Sequence, residues 1–360
     1  MLKLWNVYIP QLRIRERKIG LRDDFQREID YMRISITDRC NLRCCYCMPK
    51  GIRREPAKDI LTLEEYGKVA SCGARLGIRK IKVTGGEPLA RLGCCQLVAM
   101  LKETPGIEKV TITTNGILLE QYLEDLIQAG IDGINISLDT LDENLYSILT
   151  GGGRLKTVMS ALERGLKACY QRQIPIKINA VSLDLEAVAR QLGCGGGDYG
   201  WHSLLRLAKT YPVDVRFIEM MPVGYGKGFQ TLDHQTLLKE LERRYPGMEK
   251  DERVHGNGPA VYYRIPGFLG SVGLISAIHN KFCPGCNRVR LTCQGYLKSC
   301  LCYEDGVDLR QILRGKGSWG EKEGRLLAAM EGAIKKKPMA HCFERPEDMT
   351  EHDNMVSIGG

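Results

Sequence analysis

The stretch Met32-Arg33-Ile34-Ser35-Ile36-Thr37-Asp38-Arg39-Cys40-Asn41-Leu42-Arg43-Cys44-Cys45-Tyr46-Cys47 decides how this chain is read. It joins a strand-like run, residues 32–37, to three thiols at C-x3-C-x2-C spacing, with an aromatic residue just before the last. A loop this short can turn the sulfurs of Cys40, Cys44 and Cys47 toward one point. Iron–sulfur clusters are usually held by four thiolates, so three on one loop leave one iron of a four-iron cluster open to an outside ligand. A zinc knuckle lacking one ligand is the competing reading of the same spacing.

Outward from this loop, apolar and β-branched runs recur at 81–84, 110–114, 134–138, 176–181 and 215–218. Helical patterns lie between them at 63–76, 95–102, 119–128, 155–171 and 186–207. Such alternation indicates parallel strands with crossover helices, and six units fit an incomplete barrel as well as an open sheet. The residues after the strands are glycines and polar groups: Gly85-Gly86-Glu87-Pro88, Asn115-Gly116, Asp139 and Glu219-Met220-Met221-Pro222. In barrels of this class the functional groups collect at the carboxyl ends of the strands. Two glycines after a strand often make only a tight turn; beside a three-thiol loop they read as backbone that a ligand can approach. Gly151-Gly152-Gly153 lacks the spacing of a phosphate loop, and Cys194-Gly195-Gly196-Gly197 reads as a surface insertion in the fifth helical pattern.

The 360 residues suit one large α/β body or two fused domains, and an apolar share of 43% supports a sizeable core. No run of eighteen apolar residues marks a membrane span. Fifteen cysteines without a secretory signal point to a reducing compartment with metal or redox use, and the cytoplasm is expected. Of the net charge of +9, much sits in the first twenty residues, where Lys3, Arg13, Arg15, Arg17 and Lys18 face Glu16 alone. That segment reads as a solvated basic extension, and the rest of the chain carries no charge excess that calls for nucleic acid.

Past residue 230 the pattern changes. Residues 232–245 look helical, and 262–265 with 271–277 read as a hairpin around Pro266-Gly267. Cys283-Pro284-Gly285-Cys286 and Cys300 then form a second three-thiol set, which a zinc ribbon with Cys293 or Cys302 as fourth ligand would also explain. Arg288 and Arg290, two apart in an extended segment, face the same way. Paired guanidinium groups suit bidentate binding of phosphate oxygens; an exposed edge strand with solvated charges is the plainer reading of two arginines alone, and the neighbouring three-thiol site weighs against it.

Taken together, residues 31–44, Thr84-Gly85-Gly86-Glu87-Pro88, Thr113-Thr114-Asn115-Gly116, Ser137-Leu138-Asp139, Arg216-Phe217-Ile218-Glu219-Met220-Met221, the Cys283 block and the terminal Gly359-Gly360 resemble the GTP 3′,8-cyclase family of radical SAM enzymes. The match runs from about residue 21 to the end. The resemblance implies an α/β fold, a partial (βα)6 TIM-like barrel with a C-terminal α+β region carrying a second cluster. It divides the chain into a basic extension (1–20), a barrel (21–230) and a second-cluster and substrate region (231–360).

The same resemblance implies two [4Fe-4S] clusters, on Cys40, Cys44 and Cys47 and on Cys283, Cys286 and Cys300. S-adenosylmethionine (SAM) would bind with help from Tyr46, Gly86, Ser137 and Met221. GTP would meet Arg33, Lys82, Thr113, Lys177, Arg288, Val289 and Arg290, with Arg288, Arg290, Gly359 and Gly360 serving catalysis and Lys80 assisting. The implied reaction is cyclisation of GTP to 3′,8-cyclo-7,8-dihydro-GTP, the first step of molybdenum cofactor biosynthesis. It needs a one-electron reductant and hands its product to a cyclic pyranopterin monophosphate synthase; no nucleic acid or membrane partner is implied, and a homodimer stays open. The alternatives are another two-cluster radical SAM enzyme, such as a peptide-modifying maturase, and a zinc-binding nucleic-acid module. Three departures from the family pattern stand out: Lys82 where arginine is common, Gln26 in the place of a usual glycine, and Cys293-Gln294-Gly295 in place of an acidic turn.

Overall fold

The computed structural model describes residues 20–49, 55–194, 197 and 199–358. The basic leader through residue 19, Gly195-Gly196 and the terminal Gly359-Gly360 lie outside these residues. In chain order come β1 (Tyr31–Ser35), α1 (Leu63–Arg75), β2 (Lys80–Thr84), α2 (Cys94–Lys102), β3 (Lys109–Thr114) and α3 (Leu119–Gln128). They are followed by β4 (Ile134–Ser137), α4 (Glu143–Leu149), α5 (Leu155–Tyr170), β5 (Ile176–Val181), α6 (Leu185–Gln191), α7 (His202–Thr210) and β6 (Asp214–Ile218). The C-terminal part adds α8 (His234–Arg244), β7 (Glu249–Lys250), β8 (Val261–Arg264), β9 (Val272–Ile275), β10 (Arg288–Leu291), β11 (Tyr296–Lys298), β12 (Gly306–Asp308), α9 (Leu309–Arg314) and α10 (Trp319–Lys335).

The twelve strands of the described residues form one sheet, in the order β12-β11-β10-β1-β2-β3-β4-β5-β6-β9-β8-β7. The eight strands from β10 to β9 are parallel to their neighbours, and the hairpin strands at either end are antiparallel. Among the described residues β12 and β7 do not pair, so the barrel is open. The six βα units expected from the alternation are therefore extended on both sides by strands of the C-terminal part. The strand carrying Arg288 and Arg290 is no exposed edge, because β10 lies between β1 and β11.

The sheet has two chemically distinct faces, as a two-residue period requires. Met32, Ile34, Ile81, Val83, Val110, Ile112, Ile134, Ile136, Ile178, Val215 and Phe217 are buried in one continuous core with the helices. The alternate positions carry Arg33, Lys82, Thr111, Asn135, Lys177 and Arg216, so the inner face is polar. Helices close over the apolar face because their own apolar stripes match it. In α1, Tyr66, Val69, Ala70 and Gly73 are buried at helical spacing, and Thr62 and Glu65 cap its start reciprocally.

Two local readings are corrected. The single helical run expected over 186–207 is two helices, α6 and α7, separated around the glycine-rich insertion. Helix α4 was absent from the expectation: its seven residues are too few to display a period, although Asp142 caps it through the Leu145 amide. At Gln26 the backbone has φ of +64°, a left-handed turn that favours glycine and explains why the family pattern places one there.

Candidate active site

The cysteine loop leaves the carboxyl end of β1 and is fixed by its backbone. The Arg43 and Cys45 amides donate to the carbonyls of Thr150 and Leu149 at the end of α4, at 2.8 and 2.9 Å, and Cys47 closes a turn onto Cys44. The glycines after β2 then do something the spacing alone does not reveal. A Cβ on Gly86 would lie 2.4 Å from the Arg39 carbonyl oxygen, and one on Gly85, at φ +155°, 2.5 Å from that of Thr37. The Gly86 and Glu87 amides donate to these same two carbonyls, at 2.7 and 2.8 Å. The absent side chains let one backbone lie directly on another, immediately before the first thiol.

Glu87 extends this support to the next strand. Fully buried, it accepts from the Thr114 hydroxyl at 2.8 Å and the Asn115 and Leu89 amides at 2.7 and 3.0 Å. The Asn115 side chain in turn reaches Asn41 at 2.8 Å and the Cys40 sulfur at 3.6 Å. Burial raises the Glu87 carboxyl from the usual 4.5 to about 7, against the pull of these three donors. Folded Glu87 thus holds its proton to about pH 7, while the unfolded chain releases it near 4.5. Between those values the folded state binds more protons, so stability falls as pH rises through this window, by about 3 kcal/mol in all. The Glu87→Gln variant is expected to lose that slope, which urea unfolding of both proteins on the two sides of the window measures.

The three thiols of the loop suppress one another's ionisation. Burial pushes Cys47 up to about 12, with the charges of Cys40 and Asp139 adding to it, and Cys44 stands well above the usual thiol range for the same reasons. Cys40 is raised by burial as well. Asp139 is itself buried; it accepts from the Tyr46 hydroxyl at 2.5 Å and from the Val181 amide at 2.8 Å. Three thiolates next to a carboxylate need a cation to coexist, and an iron cluster supplies one. This donor set fits the expected group.

The second set, Cys283, Cys286 and Cys300, brackets β10 and β11, and Cys283 is within electrostatic reach of both Cys286 and Cys300. Burial raises Cys286, but the Lys337 ammonium and the Arg288 guanidinium outweigh it and bring that thiol down to about 7. Lys337, only 3% exposed, donates to the carbonyls of Arg288, at 2.9 Å, and Ser299. A thiol near 7 is readily deprotonated by a metal, so this set also fits. Of the alternative ligands, Cys302 lies beside Cys300 but pairs with Cys342, sulfur to sulfur at 3.3 Å. Cys293 sits apart, among Asp38, Glu55 and Arg91.

The two sets occupy opposite ends of the parallel strands. The first follows the carboxyl end of β1; Cys286 precedes the amino end of β10, whose Arg288 is level with Tyr31 at the start of β1. One strand length, about 17 Å for five residues, lies between. Along that length the inner face is lined with cations: Arg290, Arg33 and Lys82 are register partners on β10, β1 and β2. Burial lowers Lys82 well below the usual lysine range, and Arg216, Arg33, Arg288 and Lys177 repel its charge. Burial and the charges of Arg33 and Arg288 bring Arg290 down to about 9. The Nε atoms of Arg33 and Arg216 are buried and find no acceptor among the described residues.

The other expected site residues are distributed as follows. Thr113 on β3 and Ser137 on β4 lie on the inner face beside Asn135 and Asn179. Lys177 is held by Asp214 at 2.5 Å. Lys80 is paired with Asp30 at 2.7 Å. The Val289 side chain is fully buried in the core on the opposite face, leaving only its main chain toward Arg288 and Arg290. Met221 packs with Val223, Leu301, Cys302 and Ile358 near the last described residues. Gly359 and Gly360 lie outside the described residues. Sequence reasoning missed Lys337 and gave Arg216, Asp139 and Glu87 no role of their own, although all three stand in the motifs quoted; the two-residue period of β6 was the available signal for Arg216.

Residues 34–181 match the family model described as the Radical SAM superfamily, and residues 213–343 match Molybdenum Cofactor Synthesis C. A GTP 3′,8-cyclase of Peptoclostridium acidaminophilum is 40% identical over 346 residues, covering 96% of this chain and all of that protein. One of Clostridium perfringens (strain SM101 / Type A) is 37% identical over 344 residues, covering 94% of this chain and all of the relative. Among solved structures, Streptococcus suis SuiB bound to S-adenosylmethionine aligns with a TM-score of 0.58 at 15% identity, over 91% of this chain and 77% of that one, a likeness of fold. At this identity over nearly the full length of both chains, the protein belongs to the GTP 3′,8-cyclase family of the radical SAM superfamily.

Proposed function

We propose that this protein cyclises GTP to 3′,8-cyclo-7,8-dihydro-GTP, using S-adenosylmethionine and two iron–sulfur clusters, as the first step of molybdenum cofactor biosynthesis. The observation that carries the reading is the buried cationic lining between two convergent thiol sets. Burial lowers Arg33, Lys82 and Arg290, and the charges of neighbouring cations, Arg288 among them, lower each of the three further. Buried like charges are costly unless an anion joins them, and a nucleoside triphosphate brings several negative charges. With its phosphates clamped from several strands, the nucleotide is held in one pose.

Cys40, Cys44 and Cys47 would hold an iron–sulfur cluster that, with S-adenosylmethionine, would supply radical chemistry at the ribose. Tyr46, Gly86, Ser137 and Met221 hold that cosubstrate, and Thr113 and Lys177 join the arginines around GTP. The second set at Cys283, Cys286 and Cys300 faces the guanine end. Exclusion of water around the bound nucleotide would protect radicals from side reactions. The division at residues 20 and 230, a one-electron donor, a downstream cyclic pyranopterin monophosphate synthase and a cytoplasmic location belong to the same reading.

The test is anaerobic incubation of iron-reconstituted protein with GTP, S-adenosylmethionine and dithionite. The expected products are 5′-deoxyadenosine and a cyclised nucleotide; iron-loaded protein yielding neither overturns the reading. Deleting Gly359-Gly360 is expected to leave iron content and folding intact while abolishing cyclisation, and full activity after the deletion counts against the tail's role.

A further inference from the structure

Lys177 does not sit alone on the inner face. Its ammonium donates to Asp214 Oδ2 at 2.5 Å and to the Tyr262 hydroxyl at 3.3 Å. The same Asp214 oxygen meets His255 Nδ1 at 2.9 Å, and the other ring nitrogen of His255, Nε2, meets Asp251 Oδ2 at 2.9 Å. The imidazole lies flat on the Tyr262 ring, with centroids 4.0 Å apart, and its side chain is only 9% exposed. Asp251 is further held by Arg253 at 2.6 Å and by the Ser271 hydroxyl at 2.8 Å. These groups come from β5, β6, β8, the loop after β7 and the residue before β9, and they are the charged and titratable groups facing the ring.

A neutral imidazole has one N–H and one lone pair. With carboxylate oxygens against both nitrogens, a neutral ring turns one contact into repulsion between lone pairs, whereas the protonated ring donates to both. The protonated ring also neutralises Asp214, which leaves the Lys177 charge uncompensated and directed at the inner face. Loss of the proton returns Asp214 to Lys177 as its counter-charge. The network is therefore a means of grading one cation of the lining.

We propose that His255, bridging Asp251 and Asp214, is a positioning residue that sets how much of the Lys177 charge is available to an anionic ligand. This rests on the reading of the inner face as a triphosphate site. The consequence is an affinity for triphosphates that is higher when His255 is protonated, opposite in sign to the effect of deprotonating the phosphate itself.

The experiment measures binding of GTP and of inorganic triphosphate to the anaerobic holoenzyme by calorimetry, from about pH 6 to about pH 9. Wild type is compared with His255→Gln and His255→Arg. The Kd of His255→Gln relative to wild type is expected to be about three- to tenfold higher at the acid end and to converge on wild type at the alkaline end. His255→Arg, a permanent cation, is expected to bind tightly at both ends, and the GTP effect falls on KM rather than kcat. A purely structural role would impair both variants at every pH. If GTP is bound and turned over but the His255→Gln ratio is flat with pH, the inference fails and the proposed function stands. If inorganic triphosphate shows the pH-dependent ratio while GTP is not cyclised, the proposed function fails and the inference stands. If neither ligand binds, both fail.

Discussion

Replacing Gly86 by alanine is expected to disable the first thiol set while sparing the second. The added methyl would lie 2.4 Å from the Arg39 oxygen and 2.6 Å from its carbonyl carbon, both main-chain atoms with no rotamer to move into. Relief requires one backbone to withdraw by about an ångström, breaking the hydrogen bonds of Gly86 to Thr37 and of Glu87 to Arg39. The Asn115 contact to Cys40 depends on Glu87 and goes with them. The destabilisation should be about 3 kcal/mol or more, the range of severe overpacking. Reconstituted iron should fall by about half, because only one of two cysteine-held clusters assembles, and S-adenosylmethionine cleavage should vanish. Iron and sulfide analysis with urea unfolding checks both effects; wild-type iron content in the variant would show that the loop does not depend on this contact.

The variant also shows what the sequence could and could not disclose. Strands 81–84, 110–114 and 176–181 and helix 119–128 were legible to within a residue, because apolar periods are local and these elements are long enough to display them. The first thiol set, the Cys283–Cys286 pair and the Arg288–Arg290 pair were legible because their spacing is short. That β10 docks beside β1, bringing Arg290 into register with Arg33, was not legible: parallel pairing across more than 250 residues leaves no local trace. For the same reason, the turn glycines suggested approach to a ligand when the nearest partner is the chain's own backbone. Buried cations that act through main-chain carbonyls, such as Lys337 and Arg27, carry no motif.

Arg27 therefore supplies the second large expectation. Its guanidinium, buried with the side chain 7% exposed, pairs with Asp23 at 2.6 Å and donates to the carbonyls of Cys283 and Met339, each at 2.9 Å, and of Pro338 at 2.7 Å. One side chain thus ties the turn before β1 to the second thiol set and to the segment after α10. Arg27→Met keeps most of the volume but leaves the Asp23 carboxylate, 2% exposed, without its counter-charge, takes the donor from the carbonyls of Lys337, Pro338 and Met339, and leaves that of Cys283 with the Cys286 amide alone. Breaking a buried pair from one side costs about 3–5 kcal/mol, and each buried acceptor left unpaired adds about 1–3 kcal/mol. Thermal unfolding should begin about 10 °C or more below wild type. Iron should be lost from the second set, since the Cys283 carbonyl loses its anchor, while the first retains its own. The double variant Asp23→Asn/Arg27→Met separates charge from anchoring. Removing the stranded carboxylate should recover part of the thermal stability, but not the iron at Cys283, Cys286 and Cys300, because only the guanidinium reaches that loop.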